Sequence, residues 1–270
     1  MSRNIPARSA VAAIVVGVVT IGLLISLILW GKHAQGDSPA GAGHQVPDGF
    51  SSIEAEEIFS TIAQAQKDAG SWQVTSVSTV QGQQQPSGVV QVQLKGEQKT
   101  FRISMTTQAG VIEGLWDGER FYEKSPNGDA AKPWYVYPEE TFNPDALASL
   151  TSDIEAMTKG YDIVEDEVVG SETVTDLEGN ETEAVQYRLV IEPSADATAA
   201  GVDPATQRFQ LDLWLDADNR PVQLQSTDLG AEASAQSASQ MTTYYSQYGE
   251  TFDLTAPAAD QVTDKAPTAQ

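Results

Sequence analysis

The sequence predicts an α+β fold: a curved antiparallel sheet over two main helices, preceded by one transmembrane helix. Three observations predict it. Apolar residues alternate with polar ones at a spacing of two through most of the chain, two stretches carry helical stripes instead, and one unbroken apolar run stands near the N-terminus.

The apolar run comes first. Ala10 to Trp30 is 21 residues with almost no polar interruption, and as a helix it would span about 31 Å, close to the hydrocarbon thickness of a bilayer. Arg3 and Arg8 precede it and Lys32 alone follows closely, so the positive-inside bias places residues 1–9 in the cytoplasm and everything after Trp30 outside. A cleaved signal peptide has an apolar region of about 7 to 15 residues before a small-residue site. This run is longer, and Ala40-Gly41-Ala42 lies well beyond it. The expectation is an uncleaved signal anchor over residues 10–30. The protein would then be single-pass in the plasma membrane, with its domain facing the cell envelope or exterior. Residues 31–49, rich in Gly, Ala, Ser, Pro and Gln, read as a flexible linker.

The folded unit is expected over residues 50–255, with an irregular tail at 256–270. Ser51 and Glu54 have the spacing of a capping box, and Ala55, Ile58, Phe59 and Ile62 continue at helical spacing until Gly70. The period then becomes two. Val90, Val92 and Leu94 alternate with Gln91, Gln93 and Lys95, and Phe101, Ile103 and Met105 alternate with Arg102, Ser104 and Thr106. Asp117-Gly118 marks a hairpin between Leu115-Trp116 and Phe121-Tyr122, and Asn127-Gly128 a further turn before Trp134 to Tyr137. Asn143-Pro144 opens the second helix, with Leu147, Leu150, Ile154 and Met157 on one stripe and Gly160 past its end. Strands resume with Val185, Tyr187, Leu189 and Ile191. They continue with Phe209, Leu211, Leu213 and Leu215, with a turn at Asp216 to Arg220 into Val222 and Leu224, and with a last strand near Gln240 to Tyr245. About ten strands result. Two helices are few for so much sheet, and periodicity alone leaves open whether they enclose a packed core or a ligand cavity.

Composition narrows the function. There are 15 Lys and Arg against 38 Asp and Glu, a net charge of -23, which repels nucleic acid and anionic headgroups. No nucleic-acid partner is expected. The chain has no cysteine, which removes disulfides, thiolate metal sites, Cys nucleophiles and any lipid-modified Cys. Both histidines, His33 and His44, fall in the linker, where nothing would hold a Ser/His/Asp triad or a His-based metal site in geometry. Asp216-Ala217-Asp218-Asn219 opens like a calcium loop, but Arg220 and Pro221 stand where a ligand and the tight-turn Gly belong, so a β-turn is expected. Glu165-Asp166-Glu167 reads as a solvated strand edge. No GxGxxG after a strand and no P-loop is present. The chain is expected not to be an enzyme and to need no metal and no cofactor.

Five segments carry a resemblance. Tyr244 to Val262, YYSQYGETFDLTAPAADQV, resembles the C-terminal signature of the LppX/LprA/LprF/LprG family of actinobacterial lipoproteins. In the same order, LWDGERFYE, KPWYVY, FNPDALASL and LWLDADNRPVQL resemble its other segments. The resemblance implies a half-barrel like that of the carriers LolA and LolB, with an apolar cavity between sheet and helices that binds a lipid or glycolipid in transfer or cell-envelope assembly. One departure matters. The family is usually tethered by a lipidated Cys, and here a Cys-free membrane helix stands in its place, which would fix the domain at the bilayer rather than let it shuttle.

The stripes are, taken alone, ordinary core; the resemblance implies that they line the cavity. From the helices these are Ile58, Phe59, Ile62, Leu147, Leu150 and Ile154. From the earlier strands they are Val90, Val92, Leu94, Phe101, Ile103 and Met105, and from the later ones Tyr187, Leu189, Ile191, Leu211 and Leu213. The alternative is a surface-displayed interaction or sensor domain that uses the same fold with a filled core to bind an unidentified protein partner.

Overall fold

The computed structural model of the chain describes residues 46–47, 49–80, 83–96, 98–107, 110–126, 128–138, 154, 158, 160–195, 207–229 and 240–265. The expected membrane anchor at residues 10–30 lies outside them, as do Leu147, Leu150 and Met157 of the second expected helix. No helix among the described residues is long and apolar enough to cross a membrane.

Among the described residues the chain forms twelve strands: β1 (Ser71–Val80), β2 (Gln83–Lys95), β3 (Gln98–Thr107), β4 (Gly110–Trp116), β5 (Phe121–Lys124), β6 (Trp134–Val136), β7 (Tyr161–Thr175), β8 (Glu181–Pro193), β9 (Phe209–Leu215), β10 (Pro221–Asp228), β11 (Gln240–Ser246) and β12 (Val262–Thr263). They make one curved sheet in the order β12-β6-β5-β4-β3-β2-β1-β11-β10-β9-β8-β7. Among the described residues the sheet does not close on itself, and β12 and β7 are its edges. Pairing is antiparallel throughout except at β12, which runs parallel to β6. Because side chains alternate across each strand, the registers place one apolar set on a single face. Val92 stands opposite Phe101 and Trp72, and Tyr187 and Leu189 stand opposite Leu213 and Leu211.

The helix α1 (Ile58–Ala69) lies on that face. It ends where Gly70 takes a left-handed conformation, φ 73°, and its N–H reaches back to the carbonyls of Gln66 and Lys67. This turn feeds directly into β1. Among the described residues α1 is the one helix longer than a single turn, where two main helices were expected. Of the second, Ile154 and Thr158 are described and helical, and Gly160 follows with φ 89°.

Three sequence expectations are corrected. Ser51 and Glu54 do not cap α1: a 3₁₀ turn over Ala55–Glu57 intervenes, and neither Glu54 nor Glu57 makes a side-chain capping bond. The carbonyl of Ser51 instead accepts a hydrogen bond from the Tyr187 hydroxyl at 3.3 Å, which holds this stretch extended across β8. Val222 does not share the face of Leu224. A bulge between Pro221 and Gln223 turns it to the opposite side, where it packs with Val174, Ala184 and Trp214. The C-terminal stretch expected to be irregular contains β12. After β11, in the middle of the sheet, residues 247–261 pass β1 to β5 before β12 joins β6. The strap is fastened early: Gly249 donates to the Ser71 carbonyl at 3.1 Å, and the Tyr248 hydroxyl to that of Pro221 at 2.7 Å.

Candidate functional site

The candidate site is the face that carries α1. Its residues descend from two periodicities, every second residue of the strands and every fourth of the helix. All the described residues expected to line a cavity belong to one apolar cluster on this face. Ile58, Ile62, Val92, Phe101, Ile103, Ile154, Tyr187, Leu189, Ile191, Leu211 and Leu213 are buried in it, and Phe59, Val90, Leu94 and Met105 pack against it half-buried. Leu147 and Leu150 fall outside the described residues. Val46 and Phe50 also pack here, so apolar packing begins within the segment expected as linker.

Burial is graded. Ile58, Ile62, Val92, Phe101, Leu189 and Leu213 are at most 1% exposed, whereas Val90, Met105, Ile163, Val168 and Phe209 are only half-buried on the same face. The turns at Asp117–Arg120, Asp176–Asn180 and Asp216–Arg220 stand at one end of the sheet. Met105 near the end of β3, Ile163 near the start of β7 and Phe209 at the start of β9 lie toward the other end, but Ile191, in register with Ile163 and Phe209, is 4% exposed, and Leu94, beside the Gly70 turn, is half-buried.

Polar groups interrupt the apolar face at two places that periodicity did not single out. Gln66 continues the buried stripe of Ile58 and Ile62 one turn further along α1 and is 2% exposed, as is Trp72 on β1. Gln66 Nε2 and Trp72 Nε1 are both buried without a hydrogen-bond partner among the described residues. The continuation of the i, i+4 spacing was the signal that could have found Gln66. The second place is Glu123, 9% exposed and opposite Tyr135 on β6. It accepts a hydrogen bond of 2.5 Å from the Tyr137 hydroxyl. Phe121, Tyr135 and Tyr137 pack around it, with ring centroids 5.5 Å apart for Phe121 and Tyr137 and 4.8 Å for Tyr135 and Tyr137. Gly114 makes this possible, since a Cβ there would stand 2.7 Å from the Phe121 ring. Burial, with the neighbouring Glu123 carboxylate, pushes the Tyr137 phenol far above its ordinary range.

Elsewhere the polar chemistry is structural. Asp216 accepts bonds from the N–H groups of Asp218 and Arg220 and from the Arg220 guanidinium, a self-contained turn as expected. On the opposite face of the sheet, Asp212 is satisfied by Arg188, Gln186 and Gln210 at 2.8, 3.0 and 2.6 Å. Glu165, Asp166 and Glu167 are exposed on the edge strand β7. No group of three His, Asp or Glu side chains suited to a metal occurs among the described residues.

No protein-family model and no curated protein matches the chain. Among solved structures it is similar to the lipoprotein LppX of Mycobacterium tuberculosis, at 12% identity and a TM-score of 0.45, over 75% of this chain and 100% of that one. It is similar to MucB in complex with MucA(peri) at 17% identity and a TM-score of 0.38, over 77% of this chain and 61% of the MucB chain. An uncharacterised conserved protein from Thermus thermophilus follows at 13% identity and a TM-score of 0.39, over 77% and 98% of the two chains. LppX gives its name to the family that the five sequence segments resemble.

Proposed function

We propose that the chain is a membrane-anchored extracytoplasmic binding protein for a lipid or glycolipid, held between α1 and the apolar face of the sheet and acting in lipid transfer or cell-envelope assembly. The observation that carries this reading is that Val90, Met105, Ile163, Val168 and Phe209 stay half-buried on the face that carries α1, packed against the margin of its apolar cluster. Apolar side chains left part-exposed gain about 25 cal/mol per Å² when a chain of methylenes covers them. Residues 10–30 would anchor the domain outside the plasma membrane, so that it serves as a fixed acceptor or short-range hand-off protein. No catalytic role is proposed.

The test is chemical. The full-length chain, purified from a lipid-containing host, is extracted with organic solvent and analysed by mass spectrometry against a detergent blank. A bound acyl lipid in near-stoichiometric amount is expected. Its repeated absence, with no uptake of added lipid, would overturn the reading. A second reading is favoured by the full burial of Val92 and Leu189: the face is filled, and the domain displays its surface to a protein partner. Crosslinking in cells that captures one stoichiometric protein, with empty lipid extracts, is the outcome that reading requires.

A further inference from the structure

Resting on the lipid-binding reading, we infer that Gln66 Nε2 and Trp72 Nε1 form a polar anchor for the ligand, donating hydrogen bonds to a carbonyl oxygen of an acyl group. Both donors are buried to 2% exposure and neither has a partner among the described residues. Buried N–H groups are almost always paired, because each one left unpaired loses its water without replacement. Two such donors lie six residues apart in the sequence. They sit on either side of the Gly70 turn, Gln66 in the last turn of α1 and Trp72 second in β1, and the Gly70 N–H bonded to the Gln66 carbonyl at 3.2 Å ties the two elements together.

Their setting selects the acceptor. Gln66 lies on the same helical stripe as Ile58 and Ile62, and Trp72 belongs to the apolar cluster opposite Val92. An ion would arrive there without a described countercharge, at a large desolvation cost. A neutral carbonyl flanked by methylenes satisfies both donors and buries its chain among the aliphatic neighbours. An amide contributes one of its two N–H groups and the indole its only one, which matches the two lone pairs of one carbonyl oxygen. The anchor fixes the polar end of an acyl chain at the α1–β1 turn and directs the rest along the sheet face.

The experiment uses full-length protein loaded either with a fatty acid or with a neutral diacylglycerol, each labelled with ¹³C at the carbonyl. Infrared spectra of the parent should show the labelled band shifted to lower frequency than in an apolar solvent. In Gln66→Met and Trp72→Phe that shift should shrink, with the ligand retained about tenfold less, the equivalent of one hydrogen bond. Whichever probe shows the shift identifies the source as free acid or ester. Unliganded Gln66→Met, freed of a stranded amide, should melt no lower than the parent. If the parent binds either probe but both variants bind it equally with an unshifted band, this inference fails alone. If Gln66→Met is clearly destabilised without ligand, the amide has an internal partner and the inference also fails. If the parent binds neither probe, the lipid-binding reading fails and the anchor with it.

Discussion

Tyr137 and Glu123 show how much one side chain is asked to do on an otherwise apolar face. Glu123 is 9% exposed, and its described partner is the Tyr137 hydroxyl at 2.5 Å. Removing a donor from a buried carboxylate leaves the desolvation penalty uncompensated, so Tyr137→Phe should cost about 1 to 3 kcal/mol, read from urea unfolding at neutral pH. The same tyrosine sets a pH dependence. Its pKa is raised in the folded state above the ordinary 10.0. Below that value both states keep the proton and the stabilisation is whole; above it the unfolded chain ionises first, so stability falls as pH rises. Tyr248 and Tyr187 are shifted the same way, burial being the main cause. Urea midpoints measured from pH 8 upward should therefore decline past about 10, and Tyr137→Phe should make that decline shallower. A decline unchanged in the variant would show that Tyr137 ionises freely.

At the scale of elements, three turns at one end of the sheet share one device. Asp117, Asp176 and Asp216 each accept backbone N–H groups two residues or more ahead, through one carboxylate oxygen, and close the hairpins β4–β5, β7–β8 and β9–β10. The first two are half-buried, while Asp216 is 8% exposed and also grips Arg220, whose guanidinium lies over the Tyr248 ring at 5.1 Å. Asp216→Ala should accordingly destabilise by about 1 to 3 kcal/mol, and Asp117→Ala by less, near the lower end of the range for a lost cap or turn bond. Equal losses in urea titrations would mean that burial of Asp216 adds nothing. The turns at Asp117 and Asp216 were legible in the sequence because a short carboxylate followed by Gly, Asn or Arg dictates the local backbone, whereas the turn at Asp176 was not read from it. The strand faces of Val185 to Ile191 and Phe209 to Leu215 were legible because their alternation is unbroken. Features made by distant partners were not. The Ser51 carbonyl is claimed by Tyr187, 136 residues away, which no capping pattern reveals. The bulge before Gln223 shifts Val222 by one face, and β12 has only two residues with which to declare a period. Gln66 was passed over because a polar residue reads as the end of an apolar stripe, although its position continues it.

For the whole molecule, the decisive quantity is whether the sheet face beyond α1 is filled or open, and the gradient of burial allows one experiment to ask this at two depths. Val92 is wholly buried, facing Phe101 and Trp72 on its neighbours. A Trp forced there must displace close-packed atoms, so Val92→Trp should lose about 1 to 3 kcal/mol or more whether or not a ligand exists. Met105 shares the face but is half-buried toward the end of the sheet opposite the Asp117, Asp176 and Asp216 turns, and its neighbour on β2 is the side-chain-free Gly88, where a Cβ would stand 3.3 Å from the Met105 Cγ. An indole at 105 has an opening to enter. Met105→Trp should therefore leave the melting temperature of the unliganded protein within a few degrees of the parent, a shift of under about 1 kcal/mol, while the lipid recovered in organic extracts falls severalfold because the ring occupies the ligand's path. The paired design separates the two readings of the fold. Loss of stability at both positions with no lipid to lose would mean that the face is filled from end to end and that the domain works through its outer surface. Loss at 92 alone, with lipid displaced at 105, places the ligand along the half-buried rim and leaves the deep row as the wall on which it rests.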